Sequence, residues 1–183
     1  MFSDHELGTI VEDLAGIIDQ LRALGRRLAA SLPNRVFGSW CGGPFTNGYF
    51  GPRDDDKPST VFTSIDEFHA YFVARLEDIL QRRPEFRETY DNLLTIRERS
   101  KEHPPVLSHG DLAPQNLIVK NGRIVAVIDW ETFGWYPDFW EEFGVLSKPL
   151  TRRFIDAFEK KFGEESDESI VYDYVYSSLF PPY

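Results

Sequence analysis

The chain has 183 residues, 42% of them hydrophobic, a length and composition that give one globular domain or one large lobe rather than a disordered tail. Its formal charge of -10, from 30 acidic against 20 basic residues, argues against a nucleic-acid surface, which needs a basic patch, and is compatible with a cationic small-molecule partner. Cys41 is the only cysteine, no leader-like segment is visible and no apolar run is long enough to span a bilayer, so a cytoplasmic protein without disulfide or membrane span is expected.

Residues 1–33 read as a long helix over 4–31. Ser3 and Glu6 form a capping box at its start. Leu7, Ile10, Val11, Leu14, Ile17, Ile18, Leu21, Leu24 and Leu28 recur at three and four, which predicts one buried stripe. The stripe is short for a coiled-coil seam, and Pro33 marks its end. Residues 34–62 read as an irregular loop rich in glycine and proline. Gly38 to Gly43 has the glycine spacing of a phosphate-binding loop, but Pro44-Phe45 stands where Lys and Ser/Thr are required. The loop is therefore expected to connect, packing Trp40, Phe45, Tyr49 and Phe50 onto the lobe. Cys41 has no neighbouring base in sequence, and no nucleophilic role is expected of it.

Residues 63–103 read as two helices. Ser64 and Glu67 repeat the capping box, and Phe68, Phe72, Leu76, Ile79 and Leu80 make the buried stripe. Arg82-Arg83-Pro84 ends that helix, and Pro84 can open the next, with Phe86, Tyr90, Leu93, Leu94 and Ile96 inward up to about Lys101. His69 and His103 are expected to be surface or packing residues. Pro104-Pro105 then breaks the helix.

Residues 104–131 carry the chemistry. Val106-Leu107-Ser108 reads as a strand leading to His109-Gly110-Asp111. Leu117 to Lys120, Asn121-Gly122 and Arg123 to Ile128 read as a β-hairpin, because Asn-Gly suits the two positive-φ positions of a type I′ turn. Asn116 precedes the hairpin and Asp129 follows it, so the turn brings them close, with Asp111 one short loop away. Three oxygen-bearing side chains on one rim suit a hard cation such as Mg²⁺.

Residues 132–183 read as C-terminal helices. An aromatic and acidic run from Trp130 to Glu142 comes first, and two readings stand for it. Aromatic faces and carboxylates could hold an amine, with Glu131, Trp130 and Trp135 as the candidate acceptor pocket. Alternatively the rings pack the segment onto the lobe and Asp138 caps a helix; most of the rings are assigned to packing, and Glu131 is the leading pocket candidate. Helices are expected over about Thr151–Phe162 and Asp167–Ser178, with Phe154, Ile155, Phe158, Ile170, Val171 and Tyr174 on their buried faces.

His109-Gly110-Asp111-Leu112-Ala113-Pro114-Gln115-Asn116, followed by Ile128-Asp129-Trp130-Glu131, resembles the catalytic and metal-binding segments of the aminoglycoside phosphotransferase and choline kinase family, relatives of the protein kinases. In the kinase pattern the catalytic Asp precedes the Mg²⁺-binding Asn by five positions, as Asp111 precedes Asn116, and a second Mg²⁺-binding Asp opens the next motif, as Asp129 does. Trp130-Glu131 replaces the Phe-Gly of protein kinases, and the run to Trp135-Tyr136-Pro137 is similar to fungal members. The resemblance implies an α+β, mostly helical lobe of the kinase type. Asp111 would be the base, His109 a residue that holds the loop by hydrogen bonds, and Asn116 and Asp129 the Mg²⁺ ligands. ATP would be the donor and a small molecule of unknown identity the acceptor.

The resemblance covers the C-terminal lobe only, and the N-terminal lobe, with its nucleotide-gripping lysine and covering loop, is expected to be absent. ATP is then expected to bind weakly. The uncovered upper face is expected to carry apolar surface and to find a partner, either a second copy or a separate chain. Four readings follow from this: a phosphotransferase whose missing lobe comes in trans, a kinase-derived binding or scaffold protein, an acid–base enzyme reusing the His109, Asp111 and Glu131 pocket without ATP, and an inactive fragment.

Overall fold

A computed structural model of the chain describes residues 2–29, 31, 36–45, 50, 61–100, 103–148 and 150–179. Helix α1 (Asp4–Ala29) starts at the expected capping box. The Ser3 amide donates to Glu6 at 2.8 Å, and the Glu6 amide donates to the Ser3 hydroxyl at 3.3 Å. Leu7, Ile10, Val11, Leu14 and Leu21 are buried as expected, but Leu24 and Leu28 are exposed. The helix face turns there onto Gly25, where a Cβ would stand 2.9 Å from the Leu107 Cβ. Close backbone approach, not a leucine stripe, makes that contact. Pro33 lies outside the described residues.

The irregular segment contains a strand that its composition hides, β1 (Gly38–Ser39), and Phe37 bridges Phe62 across the segment. Phe45 and Phe50 are buried with ring centroids 4.0 Å apart, as expected. Trp40 is 59% exposed and does not pack onto the lobe, while Tyr49 lies outside the described residues. Helix α2 (Ile65–Leu80) is capped by Ser64, which accepts from the Glu67 amide. Glu67 itself reaches the Thr63 amide, at 2.7 Å, rather than that of Ser64. A short 3-10 turn, Pro84–Phe86, leads into α3 (Arg87–Arg99).

Strand β2 (Val106–Ser108) enters the catalytic segment. The hairpin is β3 (Leu117–Lys120) with β4 (Arg123–Val127), antiparallel, with a bulge between Ile118 and Val119. Asn121 and Gly122 have φ of 53° and 70°, the paired positive values that a type I′ turn demands. Strand β5 (Gly134–Tyr136) falls where only helices were expected. It completes an antiparallel sheet in the order β1-β5-β2. Three helices follow: α4 (Trp140–Leu146), α5 (Arg152–Phe162) and α6 (Asp167–Leu179). Thr151 caps α5. Asp138 does not cap α4; it faces His103 at 3.7 Å. In α6 the buried apolar residues are Tyr172, Val175 and Leu179, and of the three expected inward residues Val171 packs partly buried against the core while Ile170 and Tyr174 face outward. Among the described residues no helix is long and apolar enough to cross a membrane.

Two cores result. One is aromatic and joins α2, α3, α4 and α6 around Phe68, Trp140 and Tyr172. The other joins α1 and α5 to the inner side of the hairpin through Leu14, Phe158, Leu117 and Val119. Asp13 of α1 fixes the hairpin, accepting from both Arg123 guanidinium nitrogens at 2.7 and 2.8 Å and from the Ile124 amide at 3.0 Å. His69 is fully buried in the aromatic core. Ser100 donates to the Ile96 carbonyl, so it accepts from His69 Nε2, and Tyr172 donates to His69 Nδ1 at 2.7 Å. The ring is thus satisfied as a neutral imidazole, and burial pushes its pKa down to about 4.

Candidate active site

The site is built on the loop after β2, the hairpin, and the short turn Trp130–Thr132. Gly110 has φ +90°, and a Cβ there would stand 2.5 Å from the Thr132 carbonyl and 2.7 Å from the Tyr136 hydroxyl, so only glycine fits. Around it the backbone is held on every side. Thr132 donates to the His109 carbonyl at 2.8 Å, and Trp140 Nε1 donates to the Gly110 carbonyl at 3.0 Å. The His109 amide donates to Glu141.

Asp111 and Asn116 meet directly. Asn116 is 5% exposed, and its Nδ2 donates to the Asp111 carbonyl at 2.8 Å and to the Asp111 carboxylate at 3.0 Å. The Ile128 amide donates to the Asn116 carbonyl at 2.9 Å, which extends the hairpin ladder to the residue before Asp129. Asp129 is exposed and holds φ 66° and ψ 56°, a left-handed backbone that a non-glycine residue adopts at a cost. His109 is buried and uses both ring nitrogens. Nε2 donates to the Ile128 carbonyl at 3.0 Å, and Nδ1 accepts from the Asp111 amide at 3.3 Å. Burial lowers its pKa, and the ring ties the Asp111 loop to the end of the hairpin.

Of the three pocket candidates, Trp130 and Glu131 lie at the site and Trp135 does not. Trp130 is 42% exposed, with its ring against His109 at 4.6 Å between centroids. Glu131 is exposed in the turn beside Asp129. Trp135 is 1% exposed in the middle of the sheet, with Nε1 donating to the Trp40 carbonyl. It is a packing residue, because its strand pairs on both edges.

Sequence reasoning missed Glu141, Trp140 and Thr132. Glu141 is 2% exposed, and burial pushes its carboxyl up to about 7. The available signal was Glu141 standing four residues before Val145 and beside Trp140, on the apolar face of a short helix.

The two shifted groups oppose each other in pH. His69 has a folded pKa below its ordinary 6.5, so as pH falls from 6.5 towards 4 the unfolded chain takes a proton that the folded chain refuses, and stability is lost. Glu141 has a folded pKa above its ordinary 4.5, so its contribution is present below 4.5 and is lost as pH rises to about 7. Glu141→Gln is expected to remove the second effect and steepen the loss of stability on acidification, by about 1 kcal/mol per pH unit. Urea unfolding at a series of pH values checks this; a flatter profile in the variant than in the parent contradicts it.

Among the described residues no cluster of three or more His, Cys, Asp or Glu side chains could hold a metal. Asn116 and Asp129 nevertheless fit a hard cation. Both side chains offer oxygen, and Asn116 spends its NH₂ on Asp111, which leaves its carbonyl oxygen as the donor.

Residues 2–174 match the sequence model of APH, the phosphotransferase enzyme family. The chain belongs to that family. No curated protein matches the chain. Among solved structures, this family member is similar to a thermostable mutant of aminoglycoside phosphotransferase APH(4)-Ia in its apo form. The TM-score is 0.62 at 20% identity, over 97% of this chain and 58% of that one. The ternary complex of such a mutant with ADP and hygromycin B matches at 0.62 and 20%, over 97% and 57%. The streptomycin-ATP-APH(2")-IIa ternary complex matches at 0.52 and 20%, over 99% and 62%. The likeness establishes the kinase-like APH fold, and the chain spans roughly three fifths of the length of these structures.

Proposed function

We propose that this chain is the catalytic part of an ATP-dependent phosphotransferase acting on a small hydroxyl-bearing, cationic molecule. The observation that carries the reading is the Asn116 clamp on both the backbone and the carboxylate of Asp111. Asp111 accepts the proton of the acceptor hydroxyl as that oxygen bonds to the γ-phosphorus. The bond between the γ-phosphorus and the β,γ-bridging oxygen breaks, and ADP leaves. Asn116 and Asp129 would hold Mg²⁺, which when bound supplies charge neutralisation on the phosphates. Trp130 and Glu131 border the acceptor, an aromatic face and a carboxylate that suit an amine. The alternative with His109 as the acid or base is disfavoured, because both ring nitrogens are already hydrogen-bonded.

The nucleotide needs a second lobe. Ile118, Val125, Ile128 and Trp130 are exposed apolar residues on the outer side of the hairpin and beside Asp129. About two fifths of each matched structure lies beyond the region this chain covers. A nucleotide-binding lobe packing on that face accounts for both, and without it ATP loses most of its contacts. The 183-residue chain is therefore expected to bind ATP no tighter than about millimolar, worth about 4 kcal/mol. It should also self-associate through this face when concentrated.

Calorimetry with and without Mg²⁺, and sedimentation at high concentration, test the two halves. Micromolar ATP affinity would refute the need for a covering lobe, and a strictly monomeric species would refute self-association. In the same calorimetry Asp129→Asn is expected to weaken Mg²⁺ binding more than Glu131→Gln does. The reverse order would move the ligand assignment away from Asp129.

A further inference from the structure

Arg22 points from α1 towards α4, where one terminal guanidinium nitrogen donates to the Asp138 carbonyl at 2.8 Å. Its Nε–H is buried and has no partner. Glu141 takes the His109 amide on Oε1, while its Oε2 is equally buried and equally unpartnered. Both residues line one cavity of about 210 Å³, bordered by Ile18, Phe158 and Phe162. A buried donor and a buried carboxylate oxygen without partners are each destabilising, and proteins satisfy such atoms with a hydrogen-bonding molecule.

We infer that water bridges Arg22 Nε to Glu141 Oε2, and that Arg22 is thereby a positioning residue for the catalytic loop. The water oxygen accepts the Nε–H and donates one hydrogen to Oε2; the cavity that both residues line exceeds the volume of one water. The connection runs from α1 through Arg22, water and Glu141 to the backbone amide of His109, which donates to that carboxylate. Arg22 stands three residues before Gly25, where α1 lies hard against β2. The same helix presents Asp13 to the hairpin. One helix therefore fixes both halves of the site: Asp13 sets the hairpin that carries Asp129, and Arg22 sets the loop that carries Asp111. The effect on chemistry rests on Asp111 being the base, whereas the bridge itself does not.

Two measurements on the 183-residue chain test this. A crystal structure that orders solvent should place a water within hydrogen-bonding distance of both atoms. A direct Arg22–Glu141 ion pair, or no ordered molecule between them, overturns the bridge. In amide hydrogen exchange, Arg22→Met is expected to speed exchange at His109 and Gly110 by about tenfold or more, with Phe72 and Leu93 unchanged. Arg22→Lys, which returns a donor, should restore most of the protection. Unchanged exchange at His109, or equal acceleration throughout the chain, overturns the positioning role. Neither arm measures phosphoryl transfer, so a wrong assignment of Asp111 would leave both results standing.

Discussion

Asp111→Asn is expected to lower phosphoryl transfer by about 10²- to 10⁴-fold when the chain is assayed together with a nucleotide-binding lobe. The substitution keeps an oxygen that can accept the Asn116 Nδ2–H, the contact now made at 3.0 Å, so the loop should hold its shape. What it removes is the carboxylate that the proposed reaction uses as base. The loss should therefore fall on kcat, with KM and the melting temperature close to the parent values. Initial rates at saturating acceptor, with a thermal melt of each variant, check this. If His109→Ala abolished transfer while Asp111→Asn left it intact, the assignment of base would be wrong.

Trp140→Ala is expected to destabilise the fold by about 3–5 kcal/mol, the usual result of emptying a buried tryptophan site. Trp140 is among the largest fully buried side chains, and it touches both the aromatic core and the catalytic loop. Its ring contacts Phe50, Phe68, Tyr136 and Phe143, and its Nε1 holds the Gly110 carbonyl. The melting temperature should fall by roughly 10 °C for a chain of this size. Scanning calorimetry reads it directly; a drop of only one or two degrees would mean that the core closes around the gap. Trp140→Phe, which keeps a ring but loses the N–H, should cost less stability and still loosen Gly110.

Sequence alone determined the features whose physics is local. The Asn121-Gly122 turn follows from the two positive φ values it needs. The caps at Ser3 and Ser64 belong to the same class, since each is decided within a few residues, whereas Gly110 is fixed by Thr132 and Tyr136 from more than twenty residues away. The five-residue interval from Asp111 to Asn116 was legible through its resemblance to the kinase pattern, and the structure adds that the Asn116 side chain reaches back to the Asp111 backbone.

Only the tertiary structure decided which ring packs and which faces the site. Trp130 and Trp135 stand five positions apart in one aromatic run. Trp135 is buried because β5 is inserted between β1 and β2, and no local pattern announces a three-residue strand with partners nearly 30 and 100 residues away. Leu24, Leu28, Ile170 and Tyr174 obey helical spacing yet face solvent, because α1 meets β2 through Gly25 and α6 lays its Tyr172, Val175 and Leu179 side on the aromatic core. Arg22 lies beyond sequence reading, and Glu141 leaves only the mark of its place on an apolar helix face. A buried charge is recognised by what surrounds it, and those neighbours come from α1, α4, α5 and the catalytic loop together.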